Sequence, residues 1–570
     1  MAAAANRPWI GSYAEGVPSD IDLPTGSLAD LIAESVTEFA DHVALEFFGR
    51  EWTYAELGDQ IGRAAEGLRK LGVRKGDPVA LIMPNCPQHV VAFYAILRLG
   101  AIVIEHNPLY TPRELRHQFE DHGAKVAITW DKLVGELQGF PKDIALDHIV
   151  SIDLTRAMPL KLRTLLRLPI ARARAQRADL TAKVSGTTPW EALLQNEPLA
   201  ASTPAPTAGD VALIQYTSGT TGHPKGATLT HRNLCVNAAQ ARAWVPAIPR
   251  GTASVHAVLP LFHAYGLTLC LTFAMSMGAR LVLFPRFDPD LVLPVIKKRP
   301  PTFLPAVPPI YQRLTAAAEE KGVSLEGIEI AISGAMPLSQ AVITPWENLT
   351  KGYLVEGYGL SETSPVLMAN PVSDARKQGT VGLPLPGTDI RVVDPENPTE
   401  DVKTGERGEL IVRGPQVMSG YWKKPEETAA VFVGDPKDGW FRTGDIVTVD
   451  ADGFVTIVDR IKELVITGGF NVSPSEVEDA LRGFEGVADV AIVGLPSARN
   501  GEEVVAAVVA QPGATVDATA LRAYARETLG AYKVPRQVFM LDELPKSLIG
   551  KVLRKKVRDG LIEGGAVASE

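Results

Sequence analysis

Apolar and polar positions along the first three quarters of the chain fall into two alternating rhythms. Short apolar runs at Val79–Met83, Val211–Gln215, Ala257–Leu261, Leu281–Phe284 and Ile328–Ile332 read as strands buried on both faces. Between several of them lie amphipathic segments, such as Tyr54–Leu71 and Arg113–His122, with the spacing of helices that bury one stripe. Strand–helix alternation of this kind predicts parallel sheets covered by helices. Around Gly405–Gly414 and Gly453–Val458 the rhythm changes to short strands with Gly-rich turns, which predicts a small β-rich subdomain at about 380–459. Beyond Asp459 the pattern is α+β: helix Ser475–Leu481, strands Val487–Val493 and Val504–Val509, helix Ala518–Leu529. The expected fold class is α/β, with a large N-terminal domain of parallel sheets over residues 1–459. A small α+β C-terminal domain over 460–570 follows, joined near Asp459–Lys462.

Size agrees with more than one domain, because 570 residues exceed what one hydrophobic core supports. With 46% hydrophobic and 22% charged residues the chain is globular rather than disordered. A net charge of −9 argues against nucleic acid as the main partner. Cys86, Cys235 and Cys270 are far apart and lack metal spacing, so they read as reduced, buried thiols. The N-terminus lacks the charge and apolar core of a signal peptide, no run of about 18 apolar residues predicts a membrane span, and Val-Ala-Ser-Glu is no known address. The expected location is the cytoplasm.

One stretch stands apart. Residues 156–177 hold Arg156, Lys161, Arg163, Arg167, Arg172, Arg174 and Arg177 among leucines and alanines, with no acid. Such a segment suits the surface of an anionic membrane, making the protein peripheral to its inner face, and equally suits a solvated excursion from the core. Pro159 and Pro169 break any long helix there.

The most informative chemistry is at 216–227, Tyr-Thr-Ser-Gly-Thr-Thr-Gly-His-Pro-Lys-Gly-Ala, directly after an apolar strand-like run. Gly219 and Gly222 let backbone N–H groups approach a polyphosphate, Thr217, Ser218, Thr220 and Thr221 add hydroxyl donors, and Lys225 adds a positive charge. The spacing is not that of a Walker P-loop, since His223 and Pro224 precede the lysine and glycine follows it. Its bland reading is a solvated turn between strands.

A second motif, Glu356-Gly-Tyr-Gly-Leu-Ser-Glu-Thr-Ser-Pro365, follows the apolar run Tyr353–Val355, where open α/β sheets bind ligands. Ser361 can bond a phosphate oxygen, Glu362 can hold Mg2+ through a hard oxygen, and Tyr358 between two glycines can stack on a base. A third cluster is Asp438-Gly-Trp-Phe-Arg-Thr-Gly-Asp445 followed by Asp459-Arg460-Ile-Lys462. Asp445 can accept both ribose hydroxyls of a nucleotide and Arg460 adds donors on the same edge; a turn aspartate with a surface ion pair is the alternative. The fourth is Pro545-Lys-Ser-Leu-Ile-Gly-Lys551-Val-Leu-Arg554, in a basic tail that would otherwise be a solvated face.

These four motifs, with Asn107-Pro-Leu-Tyr-Thr111, Leu259-Pro-Leu-Phe-His-Ala-Tyr-Gly266, Ser333-Gly-Ala-Met-Pro337 and Val493-Gly-Leu-Pro496, resemble the adenylate-forming superfamily of acyl-CoA synthetases, luciferases and peptide-synthetase adenylation domains. From about Leu28 to Arg558 the chain is most similar to bacterial long-chain fatty-acid–CoA ligases, with 4-coumarate–CoA ligases next. The resemblance implies a two-step reaction. A carboxylate attacks the α-phosphate of ATP·Mg2+ to give acyl-AMP and pyrophosphate, and CoA then displaces AMP. It implies that Lys551 contacts the carboxylate and phosphate oxygens in the first step. It also implies that His263 closes the carboxylate side of a pocket containing Tyr265, Gly334, Ala335, Gly357 and Gly359. Lys462 is the implied hinge of a mobile C-terminal domain, and Gly468 and Gly469 the implied edge of a pantetheine tunnel.

Ser361 stands where threonine is usual, and Ile461 and Ile466 where Lys or polar residues often stand, which bears on the thioester-forming state. The substrate expected is a medium- or long-chain fatty acid, with an aryl acid as the alternative. A fatty-acyl-AMP ligase serving a carrier protein is a rival, but no insertion is visible between Gly414 and Asp459. A non-catalytic nucleotide- or acyl-binding protein is the rival from another class. A homodimer is left open.

Overall fold

The computed structural model of the chain describes residues 7–144, 146–217, 224–467, 470–497, 501–547 and 550–564. They divide into two compact units: the described residues of 1–389 with 413–439, and those of 390–412 with 440–570. The sequence-based junction at Asp459–Lys462 lies within the second unit.

The first unit carries two large sheets. One runs Gly420–Tyr421, Lys225–Thr230, Val211–Thr217, Ile102–His106, Pro78–Ile82, Val126–Trp130, His148–Ile152, Thr188–Pro189 from edge to edge. Its five strands from Val211–Thr217 to His148–Ile152 pair in parallel, and Lys225–Thr230 turns back antiparallel on Val211–Thr217. The second sheet is parallel from Tyr353–Gly359 through Ile330–Ser333, Phe303–Ala306, Ser254–Ala257 and Arg280–Leu283 to Val43–Phe47. Helices form where expected. Tyr54–Lys70 starts at a capping box in which Thr53 and Glu56 satisfy each other's backbone N–H, and Pro112–His122 starts at the same device with Thr111 and Glu114. The α/β expectation holds.

One strand expectation does not. The sheet strand is Ser254–Ala257, not Ala257–Leu261. The apolar run reports burial here rather than pairing. The buried Asn85 amide donates to the Ala257 and Leu259 carbonyls (3.0 and 2.7 Å), and its oxygen accepts the Leu261 N–H (2.8 Å). A side chain thus does what a neighbouring strand would do, and Pro260 has no N–H to pair. The second motif also starts earlier in the strand than expected, since the strand runs through Gly359 rather than ending near Val355.

In the second unit, Trp440–Val449 pairs antiparallel with Gly408–Arg413 on one side and Val455–Arg460 on the other. Strands Val487–Ser497 and Gly501–Ala510 form a long antiparallel ladder. Alternate residues of that ladder bury opposite faces. Val490, Ile492, Val504, Ala506 and Val508 join the core that includes Val477, Leu481, Leu521 and Ala525. Ala491, Val493, Leu495, Val505 and Ala507 pack with Leu544, Val557 and Leu561. Two-sided burial explains why both strands read as continuous apolar runs.

Candidate functional site

The hydroxyl- and glycine-rich loop leaves the sheet at Thr217 and returns at Lys225, and these two residues face each other across the antiparallel pair. Ser218, Gly219, Thr220, Thr221 and Gly222 lie outside the described residues. The Lys225 ammonium sits 3.3 Å from a Glu427 carboxylate oxygen and 5.2 Å from the centre of the Tyr421 ring. Tyr421 in turn donates its hydroxyl to Glu362 at 2.9 Å. Lys225 and Glu362, far apart in sequence, thus meet on opposite parts of one tyrosine. A backbone bond from Met418 N–H to the Glu362 carbonyl (2.8 Å) ties the same segment to the Ser361–Thr363 turn.

Ser361 opens that turn, and Tyr358 lies buried in the preceding strand. Gly359 has no alternative, because a Cβ there would stand 1.9 Å from the Pro365 carbonyl oxygen. Gly357 is tight, with Ile332 and the Met368 carbonyl 3.3 and 3.4 Å from an added Cβ. Glu356 is largely buried and accepts the Leu338 N–H (3.3 Å); burial pushes its carboxyl up to about 8.

His263 and Tyr265 stand in the segment that Asn85 holds off the sheet. Gln215, two residues before Thr217, donates to the Phe262 carbonyl at 3.1 Å, which links the strand feeding the loop to this segment. His263 Nδ1 accepts the Tyr265 N–H at 3.2 Å. Burial presses its pKa down to about 4, so the ring is neutral with its proton on Nε2. The Tyr265 hydroxyl lies 2.7 Å from the Ile332 carbonyl and 3.1 Å from that of Ala306. A Cβ on Gly334 would come 3.1 Å from the Tyr265 ring, and Ala335 adopts a left-handed φ of 67°. His263, Tyr265 and Gly334 are therefore brought together, with Gly357 against Ile332 next to them.

The remaining candidates belong to the second unit. Asp445 and Arg460 are register partners across the Trp440–Val449 and Val455–Arg460 hairpin, with Arg460 Nε 2.8 Å from Asp445 Oδ1. The Asp445 side chain is 1% exposed and the Arg460 side chain 36%. Gly444 supplies the left-handed turn (φ 73°) before Asp445. Lys462 falls in the 3-10 turn Ile461–Glu463. Gly468 and Gly469 lie outside the described residues.

Lys551 is held by its backbone. Its N–H donates to Ser547 Oγ (3.1 Å), and its carbonyl accepts the Ser547 N–H (2.8 Å). Burial, then the Arg460 charge, lower its pKa below the usual lysine value, while Glu463 and Asp445 pull the other way. Lys551 thus shares its surroundings with the Asp445–Arg460 pair. Three residues on, Arg554 donates to both oxygens of buried Glu478 (2.8 and 2.7 Å) and to Ser475 (3.1 Å), and it bonds Glu463 beside Lys462.

Sequence reasoning passed over Tyr421, Glu427 and Arg554. Tyr421 meets Glu362 across 59 positions and Arg554 meets Glu463 across 91, so no local pattern carries either contact.

Among the described residues there is no cluster of three or more His, Cys, Asp or Glu side chains arranged to hold a metal. Glu362, sharing Tyr421 with Lys225, nevertheless is a hard carboxylate that fits Mg2+, which takes one or two carboxylates and completes its shell with phosphate oxygens and water.

The parallel-sheet unit and the second unit, with the motifs they carry, define the class of adenylate-forming enzymes. A family profile described as AMP-binding enzyme matches residues 32–422, and one described as AMP-binding enzyme C-terminal domain matches 476–551. The chain belongs to the AMP-binding enzyme family. Long-chain-fatty-acid–CoA ligase of Bacillus subtilis (strain 168) is 38% identical over 560 residues, 97% of this chain and 98% of the relative. Feruloyl-CoA synthase of Amycolatopsis sp is 36% identical over 520 residues, 90% and 95% of the two chains. The solved structure of ATP-bound MatB from Rhodopseudomonas palustris superposes with a TM-score of 0.77 at 30% identity, covering 94% of this chain and 99% of that one.

Proposed function

We propose that the chain is an ATP-dependent, AMP-forming acyl-CoA ligase that activates medium- or long-chain fatty acids. The observation that carries the reading is the match along nearly the whole chain to a long-chain-fatty-acid–CoA ligase, with each motif's charged residue present. Thr217, Lys225 and Ser361 bind the phosphates, Tyr358 faces the base, and the Asp445–Arg460 pair holds the ribose. Glu362 holds Mg2+, which neutralises phosphate charge when bound. Neutral His263, donating from Nε2, closes the carboxylate end of a pocket built around Tyr265, Gly334, Ala335, Gly357 and Gly359. Lys551 places its charge on the carboxylate and α-phosphate oxygens during adenylation, and Lys462 is the hinge that removes it afterwards. Gly468 and Gly469 then border the path of the CoA arm.

Incubation with ATP, CoA and acids from octanoate to stearate, with ferulate and benzoate alongside, tests the reading. AMP and thioester are measured separately. Equal AMP and thioester, greatest with a fatty acid, is the expected result. AMP with acyl-adenylate but no thioester would transfer the chain to the carrier-protein ligases. The feruloyl-CoA synthase relative favours one second reading, an aryl-acid ligase, and a ferulate maximum would select it.

The acyl substrate gives the basic excursion a purpose. No helix among the described residues is long and apolar enough to cross a membrane. The short helices Leu160–Leu165 and Ala171–Leu180 carry Lys161, Arg163, Arg172, Arg174 and Arg177, and Leu160 (75% exposed), Leu165, Leu168 and Ile170 all face solvent. Four exposed large apolar side chains within eleven residues, amid lysines and arginines and no acid, suit an anionic lipid surface. The protein would act from the cytoplasm at the inner face of the membrane. Sedimentation with phosphatidylglycerol vesicles, lost in Leu160→Ser/Ile170→Ser and absent with phosphatidylcholine, is the expected outcome. Binding that ignores both changes would remove the segment from this role.

A further inference from the structure

The segment 418–428 is threaded between two parts of the candidate site, and its geometry is set by backbone. Tyr421 pairs in register with Ala227 two residues after Lys225, the Trp422 N–H donates to the Gly226 carbonyl (2.8 Å), and the Tyr421 N–H donates to Thr428 Oγ1 (2.9 Å). Gly420 adopts φ 139°, and a Cβ there would stand 2.6 Å from Thr428 Cγ2. The backbone that carries the ring is thereby fixed. The ring's face is turned to the Lys225 ammonium and its hydroxyl to the Glu362 carboxylate.

We propose that Tyr421 is a positioning residue that holds Glu362 and Lys225 apart and correctly aimed for a metal-bound triphosphate. The proposal rests on the reading of Glu362 as the magnesium ligand. Opposite charges in a partly buried site attract, so a bare Lys225–Glu362 pair would satisfy itself and compete with the ligand. Tyr421 offers each a weaker substitute: a π face for the ammonium and a neutral donor for the carboxylate. The Lys225–Glu427 contact has side-chain exposures of 20% and 41%, and phosphate oxygens would compete with Glu427 for the ammonium.

Tyr421→Phe keeps the ring and removes only the hydroxyl. Losing one hydrogen bond to a charged group is worth about tenfold. The Mg2+ concentration giving half-maximal pyrophosphate–ATP exchange should therefore rise about tenfold, while KM for the acid stays unchanged. Tyr421→Leu removes the ring as well and should also raise KM for ATP at saturating Mg2+. If Tyr421 acts through Glu362, the double variant Tyr421→Phe/Glu362→Gln should be no slower than Glu362→Gln alone. Multiplying losses in the double variant, or an unchanged Mg2+ requirement in Tyr421→Phe, would overturn the proposal. The underlying ligand reading fails separately: Glu362→Gln would then leave the Mg2+ requirement where it was, and the proposal would fall with it.

Discussion

At the scale of single residues, Asp445 sits inside the strand Trp440–Val449 in a tightly held frame. Gly444 takes the left-handed turn, Thr443 Oγ1 accepts the Asp445 N–H at 3.1 Å, and Arg460 faces the carboxylate from the next strand. On the proposed reading this buried carboxylate accepts the paired ribose hydroxyls. Asp445→Ala is expected to weaken ATP binding by about 1.5–3 kcal/mol, the worth of hydrogen bonds with a charged partner. A deoxyribose analogue should be penalised less in the variant than in the wild type; equal penalties would separate Asp445 from the ribose. Gly359 is constrained differently. A methyl group 1.9 Å from a carbonyl oxygen cannot be accommodated without moving the strand. Gly359→Ala should cost about 1–3 kcal/mol of stability by overpacking, seen as a lower melting temperature by calorimetry.

At the scale of elements, local signals were readable where the chain's own neighbours make the structure. The capping boxes at Thr53 and Thr111, the apolar run of Val487–Val493, and the strand leading to Thr217 all follow from residues a few positions apart. The Ala257–Leu261 run misled because Asn85, more than 170 positions away, supplies its hydrogen bonds. Tyr421 escaped notice for the same reason: a tyrosine before a tryptophan carries no sign that its hydroxyl meets Glu362.

The Tyr353–Gly359 strand also makes a pH prediction. The Glu356 carboxyl, ordinarily near 4.5, is raised to about 8, so between those values the folded chain holds a proton that the unfolded chain has lost. Its contribution is complete below about pH 4.5 and is lost as pH rises through about 8. Melting temperature should decline over that window, and Glu356→Gln should flatten the decline; an unchanged slope would remove Glu356 as its source. The Ile461–Glu463 turn makes a mechanical one. Proline at Lys462 fixes φ near −65° and removes an N–H, so Lys462→Pro should keep pyrophosphate exchange and lose most thioester synthesis. Equal retention of both would argue against a hinge there.

For the whole molecule, the central claim is a division of labour between two half-reactions. The first unit carries Lys225, Glu362, His263 and Tyr265, and the second carries Asp445, Arg460 and Lys551. The Arg554 network ties the Lys551 segment to helix Pro474–Arg482. The most direct measurement compares Lys551→Ala with wild type in the two halves separately: palmitate-dependent pyrophosphate–ATP exchange, and thioester formation from synthetic palmitoyl-AMP and CoA. The account predicts that the variant nearly abolishes exchange while thioester formation from the supplied adenylate persists. Equal loss in both halves, or wild-type exchange in the variant, would contradict it.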